Sequence, residues 1–163
     1  IRMKVVEKKV KEHMRKIKKD FSITKSESKT VEPKASETTF HWPVSGQVSS
    51  GYGYRSDPFT HKRAFHHGVD ISVPSGTIIY SAAKGRVLKI GSNNRSGKYI
   101  IINHGNYQTV YCHLSKILVS KNDLVNKQTV VGYSGNTGRS TGPHLHFEIR
   151  KDNKSIDPNS LIY

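Results

Sequence analysis

In the run GRSTGPHLHFEI, His144 and His146 stand two residues apart, and in FHHGVDIS His66 precedes Asp70 by four. Side chains alternate faces along an extended strand, so even spacing puts each of these pairs on a common face. Three nitrogen or oxygen ligands plus a position left open to water make a zinc site of the reactive type. When two separated segments supply such a set, the chain must bring them together across a sheet. Few other features constrain the fold as strongly.

A chain of 163 residues is long enough for one domain of ordinary size with a real core. Its start at Ile1 rather than methionine reads as a fragment or a processed product. There is no run of about 18 apolar residues to span a membrane. No signal peptide is visible, and a fragment would have lost one. Cys112 is alone, which excludes an internal disulfide and a cysteine-rich zinc site.

The formal charge is +15, from 27 Lys+Arg against 12 Asp+Glu. Residues 1–38 hold 12 basic and 6 acidic groups, and residues 39–163 hold 15 and 6. Such an excess favours a polyanion or an anionic surface: nucleic acid, or a carboxylate- or phosphate-rich cell wall. The basic residues are scattered and no recognised nucleic-acid fold surrounds them, so nucleic acid is not expected as a partner.

Three regions follow one another. Within residues 1–21, Met3, Val6, Val10, Met14, Ile17 and Phe21 recur every three or four positions among Lys and Glu. This reads as an amphipathic helix, either the end of a coiled coil that docks a partner or self-associates, or a helix lying on its own domain. Residues 22–39 read as a linker, rich in Ser, Thr, Lys and Glu. From Phe40 onward short β-prone runs alternate with Gly, Pro, Asn and Ser turns. Strands are expected at 69–73, 77–81, 85–91, 98–104, 107–113, 129–134 and 144–150. Turns are expected at His104-Gly105-Asn106 and over Gly135-Asn136-Thr137-Gly138. Short, closely spaced strands make residues 40–163 an all-β, antiparallel sandwich or barrel-like domain.

The run SSGYGYRSDPFTHKRAFHHGVDI, with PSGTIIYSAAKGRVLKIG, YCHLS, GNTGRSTGPHLHFEIR and the closing Ile156-Asp157-Pro158, resembles the M23 (LytM/lysostaphin-type) zinc endopeptidases over about residues 40–163. The resemblance implies His66, Asp70 and His146 as ligands of one zinc ion per chain, with His113 and His144 as non-ligand catalytic histidines. It implies hydrolysis of peptide cross-links or stem peptides of bacterial peptidoglycan. It also implies a periplasmic or cell-surface location, compatible with membrane anchoring through residues before Ile1. All five positions hold the expected residue type. No HExxH supplies an adjacent glutamate base, so His113 and His144 are the candidates for moving the proton and stabilising the tetrahedral intermediate.

Around this set, Tyr52, Tyr54 and Arg55 are expected to line the substrate groove, with core packing the alternative for the tyrosines. Ser140 and Thr141, in the loop before His144, are expected at its rim. Glu148 shares the face of His144 and His146, as an acceptor orienting a ligand histidine or as a plain rim carboxylate. His67 lies an odd step from Asp70 and should face away. Cys112 should alternate away from His113 as a buried small side chain rather than a nucleophile. His104 is expected to be structural, and His13, His41 and His61 to be surface residues. Two other functional readings stand beside the enzyme. One is a non-catalytic or latent scaffold that binds the wall or activates a partner hydrolase. The other is a polyanion-binding module with a structural metal.

Overall fold

Leu145, Phe147 and Ile149 alternate with His146, Glu148 and Arg150, a period that an extended strand sorts onto two faces. A computed structural model, describing residues 38–162, shows where those faces go. The helix read over residues 1–21 lies outside the described residues, as does the linker apart from residues 38 and 39. Twelve strands run through the described residues. They are β1 Gln47–Ser50, β2 Gly53–Ser56, β3 Arg63–His66, β4 Val69–Ser72, β5 Ile78–Tyr80 and β6 Gly85–Asn93. They continue with β7 Gly97–Asn103, β8 Tyr107–Ile117, β9 Leu124–Val125, β10 Val130–Ser134, β11 Leu145–Lys151 and β12 Lys154–Ile156. A single 3-10 turn, Pro158–Ser160, follows.

The expected all-β, antiparallel architecture is the observed one. One ten-stranded sheet runs β1-β4-β11-β8-β7-β6-β9, with β12 beside β11 and β10 joining β8 to β5; β2 and β3 form a separate hairpin. All seven strands read from the sequence are present. The five others are two to four residues long, and three of them lie in polar, glycine-punctuated sequence that gives no apolar run or alternation to read.

Strand β11 sits between β4 and β8, with His146 opposite Asp70 on one side and Cys112 on the other. Its odd-numbered residues Leu145, Phe147 and Ile149 are fully buried against Val69, Ile71, Tyr111, Ile100 and Ile102. That leaves His146, Glu148 and Asp70 together on the opposite face. The core thereby fixes the registry of the polar face, because a one-residue slip would exchange the two sets.

Strand β8 changes partners along its length. Its first part, Tyr107–Cys112, pairs with β11, and Leu114–Ile117 pairs with β10. His113 stands at the fork. Against β7 the register passes from Ile100↔Tyr111 to Lys98↔Leu114, so Cys112 and His113 together face Tyr99. His113 takes a left-handed backbone, φ 64°, which a bulky residue adopts only where its surroundings impose it. The bulge corrects a sequence expectation: Cys112 does not alternate away from His113, and both line the same groove. Cys112 is buried, as expected.

The pairing of His66 with Asp70 also has another cause than strand parity. His66 closes β3 in the small hairpin, whereas Asp70 lies in β4 of the large sheet. Between them Gly68 crosses the β11 backbone so closely that a Cβ would lie 2.3 Å from the Phe147 carbonyl oxygen.

A buried polar chain runs beneath the core. The Ala82 amide donates to the Tyr111 hydroxyl at 2.9 Å, which bonds the Thr109 hydroxyl at 2.9 Å. Thr109 meets His104 Nε2 at 2.8 Å, and His104 Nδ1–H donates to the Lys84 carbonyl at 2.7 Å. His104 is thus structural in its contacts. Tyr111→Phe leaves the Ala82 amide without its acceptor, and a loss of about 1–3 kcal/mol in urea unfolding is expected. Burial lowers the His104 pKa below its ordinary value, the Lys84 carbonyl partly opposing. The unfolded chain therefore takes up a proton near pH 6.5 that the folded chain refuses, so stability falls as pH drops below that value and returns above it. A His104→Gln chain should show a smaller difference in melting temperature between pH 7.5 and 5.5 than the parent chain; an equal difference would contradict this.

Candidate metal centre and active site

Four histidines converge on one side of the sheet, and each has one ring nitrogen tied to an acceptor. His66 Nδ1–H donates to the Gly51 carbonyl at 2.8 Å, and His146 Nε2–H donates to Glu148 Oε1 at 2.8 Å. His113 Nδ1–H donates to the Thr137 carbonyl, and His144 Nδ1–H to the Gly142 carbonyl, each at 2.7 Å. The acceptors fix the tautomer that each ring takes when neutral. Burial alone would lower the His146 pKa, but hydrogen bonds to Asp70 and Glu148 push it up to about 9, so a cation bound there displaces a proton.

Two of the second ring nitrogens meet a carboxylate oxygen. His146 Nδ1 lies 2.9 Å from Asp70 Oδ1, His66 Nε2 lies 3.2 Å from the same oxygen, and the two nitrogens are 3.1 Å apart. The triangle they form is close to the face of a tetrahedron around a cation with bonds near 2.0–2.1 Å, whose edges are about 3.3 Å. Two imidazole lone pairs at this separation repel unless a proton or a cation lies between them. The donor set, two neutral imidazoles and one carboxylate with one open position, fits zinc. His66, Asp70 and His146 are the residues grouped for metal binding among those described.

His144 Nε2 points to the same place, 3.6 Å from Asp70 Oδ1. The His113 ring stacks at a tilt 4.9 Å from that of His144 and 6.1 Å from that of His146. Burial lowers the His113 pKa below its ordinary value, the Thr137 carbonyl partly opposing. His113 is therefore neutral at pH 7.

The carboxylates are held in turn. Burial alone would raise the Asp70 carboxyl, but its short contacts with the His146 and His66 rings hold it well below the usual carboxylate range. Arg55 Nη1 reaches the second oxygen of Asp70 at 3.2 Å and the Ser50 hydroxyl at 2.6 Å. Glu148 is buried, and Arg150 grips its free oxygen at 2.7 and 2.8 Å. Arg150 repeats the period of two that links His144, His146 and Glu148, so the sequence contained a signal for it that was not read. No sequence signal marks the Gly51, Thr137 and Gly142 carbonyls.

These residues line a groove of about 660 Å³. Arg55, Ser140 and Thr141 are on its wall. The Ser140 hydroxyl donates to the Gly142 carbonyl at 2.9 Å, 3.2 Å from His144 Nδ1, and so supports the loop carrying that histidine. The two tyrosines stand away from this lining. Tyr52 packs on the core and bonds the Ser155 carbonyl at 3.0 Å. Tyr54 is 67% exposed, with the Arg63 guanidinium over its ring at 4.2 Å. His67 is exposed and bonds Ser155 Oγ at 2.9 Å. Across the groove mouth, Arg139 links the β2–β3 tip to the loop before β11, through Asp57 at 3.1 Å and the Phe59 ring at 4.4 Å.

The model of peptidase family M23 matches residues 64–158, which hold every one of these histidines. The chain belongs to peptidase family M23. Among M23 relatives, the peptidoglycan DD-endopeptidase ShyA of Vibrio cholerae serotype O1 is 44% identical over 112 residues, 66% of this chain and 26% of the relative. The DD-carboxypeptidase/endopeptidase Mpg of Neisseria meningitidis serogroup B is 37% identical over 116 residues, 71% of this chain and 27% of the relative. The chain thus spans about a quarter of the length of these curated relatives. Among solved M23 structures, a zinc containing peptidase from Vibrio cholerae superposes with a TM-score of 0.70 at 38% identity, over 74% of this chain and 39% of that one. The catalytic domain of lysostaphin from Staphylococcus simulans superposes with a TM-score of 0.65 at 31% identity, over 71% of this chain and 90% of that one.

One zinc per chain is expected in the dialysed protein by atomic emission. His66→Ala, Asp70→Ala and His146→Ala should lose it, while His113→Ala and His144→Ala should keep it. Glu148→Gln should weaken binding by about 10- to 100-fold in a chelator competition. Unchanged zinc in His146→Ala would sink the ligand assignment.

Proposed function

We propose that this chain is a zinc-dependent endopeptidase that hydrolyses peptide cross-links or stem peptides of bacterial peptidoglycan. The observation that carries the reading is the division of labour among four histidines of fixed tautomer in one groove. His66 and His146 turn their second ring nitrogens to Asp70, while His113 and His144 keep theirs beside that group. The relatives named as peptidoglycan DD-endopeptidases support the substrate.

His66, Asp70 and His146 would hold the zinc ion. When bound there, zinc supplies a Lewis acid that polarises a peptide carbonyl and acidifies a water toward a pKa of about 7. The chain's own residues do the rest. Arg55 and Glu148 hold Asp70 and His146 in their orientations, so no rearrangement is needed as charge develops. His113 and His144, anchored at Nδ1, present Nε2 as a proton acceptor; once protonated, the same atom donates to a developing oxyanion or to the departing amine. The backbone carbonyls of Thr137 and Gly142 stabilise each imidazolium in the meantime.

A peptidoglycan substrate sets the chain in the periplasm or at the cell surface, and the positive excess of residues 39–163 suits an anionic wall. Partner docking or self-association through residues 3–21 belongs to the same proposal. No helix of the described residues is long and apolar enough to cross a membrane.

Digestion of purified cross-linked sacculi by the zinc-loaded chain should release new muropeptides, identified by mass spectrometry, and a chelator should suppress them. His113→Ala and His144→Ala should each lower the rate by about 10²-fold or more with zinc retained. An unchanged muropeptide profile from the zinc-loaded parent chain would overturn the enzyme reading in favour of a scaffold.

A further inference from the structure

Among the described residues, four arginines line the groove: Arg55, Arg95, Arg139 and Arg150. Three have a carboxylate partner within it. Arg55 bonds Asp70 at 3.2 Å, Arg139 bonds Asp57 at 3.1 Å and Arg150 bonds Glu148 at 2.7 Å. Those three carboxylates are also the acidic residues of the lining. Arg95 is exposed on the same wall, and its guanidinium has no hydrogen bond or ion pair among the described residues. Among the described residues, the groove therefore carries one arginine that no carboxylate neutralises.

The backbone beneath Arg95 is held at several points, so the side chain is displayed from a fixed base. Asn93 Oδ1 accepts from the Arg95 and Ser96 amides at 2.9 and 2.7 Å. The Arg95 carbonyl accepts from the Arg139 amide at 3.0 Å, and the Ser96 carbonyl accepts from the His113 amide at 2.8 Å. The tip of the β6–β7 hairpin is thus bonded both to the loop before β11 and to the residue at the β8 fork.

We propose that Arg95 is the specificity residue of the groove, pairing with a carboxylate of the peptide substrate close to the bond that is cut. This rests on the peptidase reading above and narrows its substrate class to stem peptides bearing a free carboxylate. Guanidinium and carboxylate match as a two-pronged, charge-assisted pair. With every acidic side chain of the lining already engaged, the incoming peptide is the source of the missing anion. Two carboxylates could serve, one on a side chain of the stem peptide and one at its C-terminus.

The test is anisotropy of an N-terminally labelled stem tetrapeptide bound to the full chain. The peptide is prepared as the free acid, as the side-chain amide and as the C-terminal amide. One of the two amides should bind the parent chain about tenfold more weakly than the free acid, identifying the carboxylate that is read. Arg95→Gln should bind all three forms alike, and Arg95→Lys should keep part of the preference. The Arg95 side chain is exposed and has no hydrogen bond or ion pair among the described residues, so an unchanged melting temperature is expected for both variants. Equal affinity for all forms in the parent chain, a preference that survives in Arg95→Gln, or no binding at millimolar peptide would overturn the proposal. Sacculus digestion run alongside separates the two claims. Hydrolysis without a carboxylate preference removes the role of Arg95 and keeps the peptidase, whereas preference without hydrolysis does the reverse.

Discussion

The registry of β11 between β4 and β8 is the constraint on which the rest depends. Phe147, Leu145 and Ile149 are fully buried, and moving them to solvent would forfeit about 1.5–3 kcal/mol each. That apolar commitment keeps His146 opposite Asp70 and holds Glu148 on the same face. The site is therefore a by-product of core packing in the best sense: its geometry is enforced by side chains that never touch it. Two local departures complete the set. The fork in β8 turns His113 onto the polar face, and the crossing at Gly68 lets a second, small hairpin deliver His66.

Within that frame, hydrogen bonding sets the chemistry. A neutral histidine has one donor and one acceptor nitrogen, and four rings free to flip would present a mixture of faces. Here each donor has a fixed acceptor, three of them backbone carbonyls and the fourth Glu148. Asp70 and Glu148 are each gripped by an arginine on the oxygen turned away from the histidines. Carboxylates and ring orientations are arranged before any substrate arrives, which is the condition under which electrostatic stabilisation costs least reorganisation. The same arginine pairing leaves Arg95 as the groove's uncompensated cation.

What the sequence disclosed follows the range of each interaction. The HxH pair, Glu148 and most of the seven strands read from the sequence depend on a period of two within a few residues, and were legible. The M23 motifs named His66 and Asp70 together, yet the parity argument for them assumed one strand where the chain bends between two sheets. The same assumption misdirected Cys112, because a bulge is invisible to strict alternation. Tyr52 and Tyr54 read as groove residues from their neighbourhood in sequence, whereas Tyr52 packs on the core and Tyr54, on β2, stands in solvent. The contacts through Arg55, Arg139 and Thr137 join residues many positions apart, and no local pattern announces them.

Zinc K-edge X-ray absorption of the zinc-loaded chain tests the central claim most directly, since it reads the donors around the metal without reference to turnover. Two imidazole nitrogens with oxygen donors, all near 2.0–2.1 Å and with no sulfur, are the expected shell. A zinc–sulfur distance near 2.3 Å, which would bring in Cys112, or a shell of three or more imidazoles, which would bring in His113 or His144, would contradict the account.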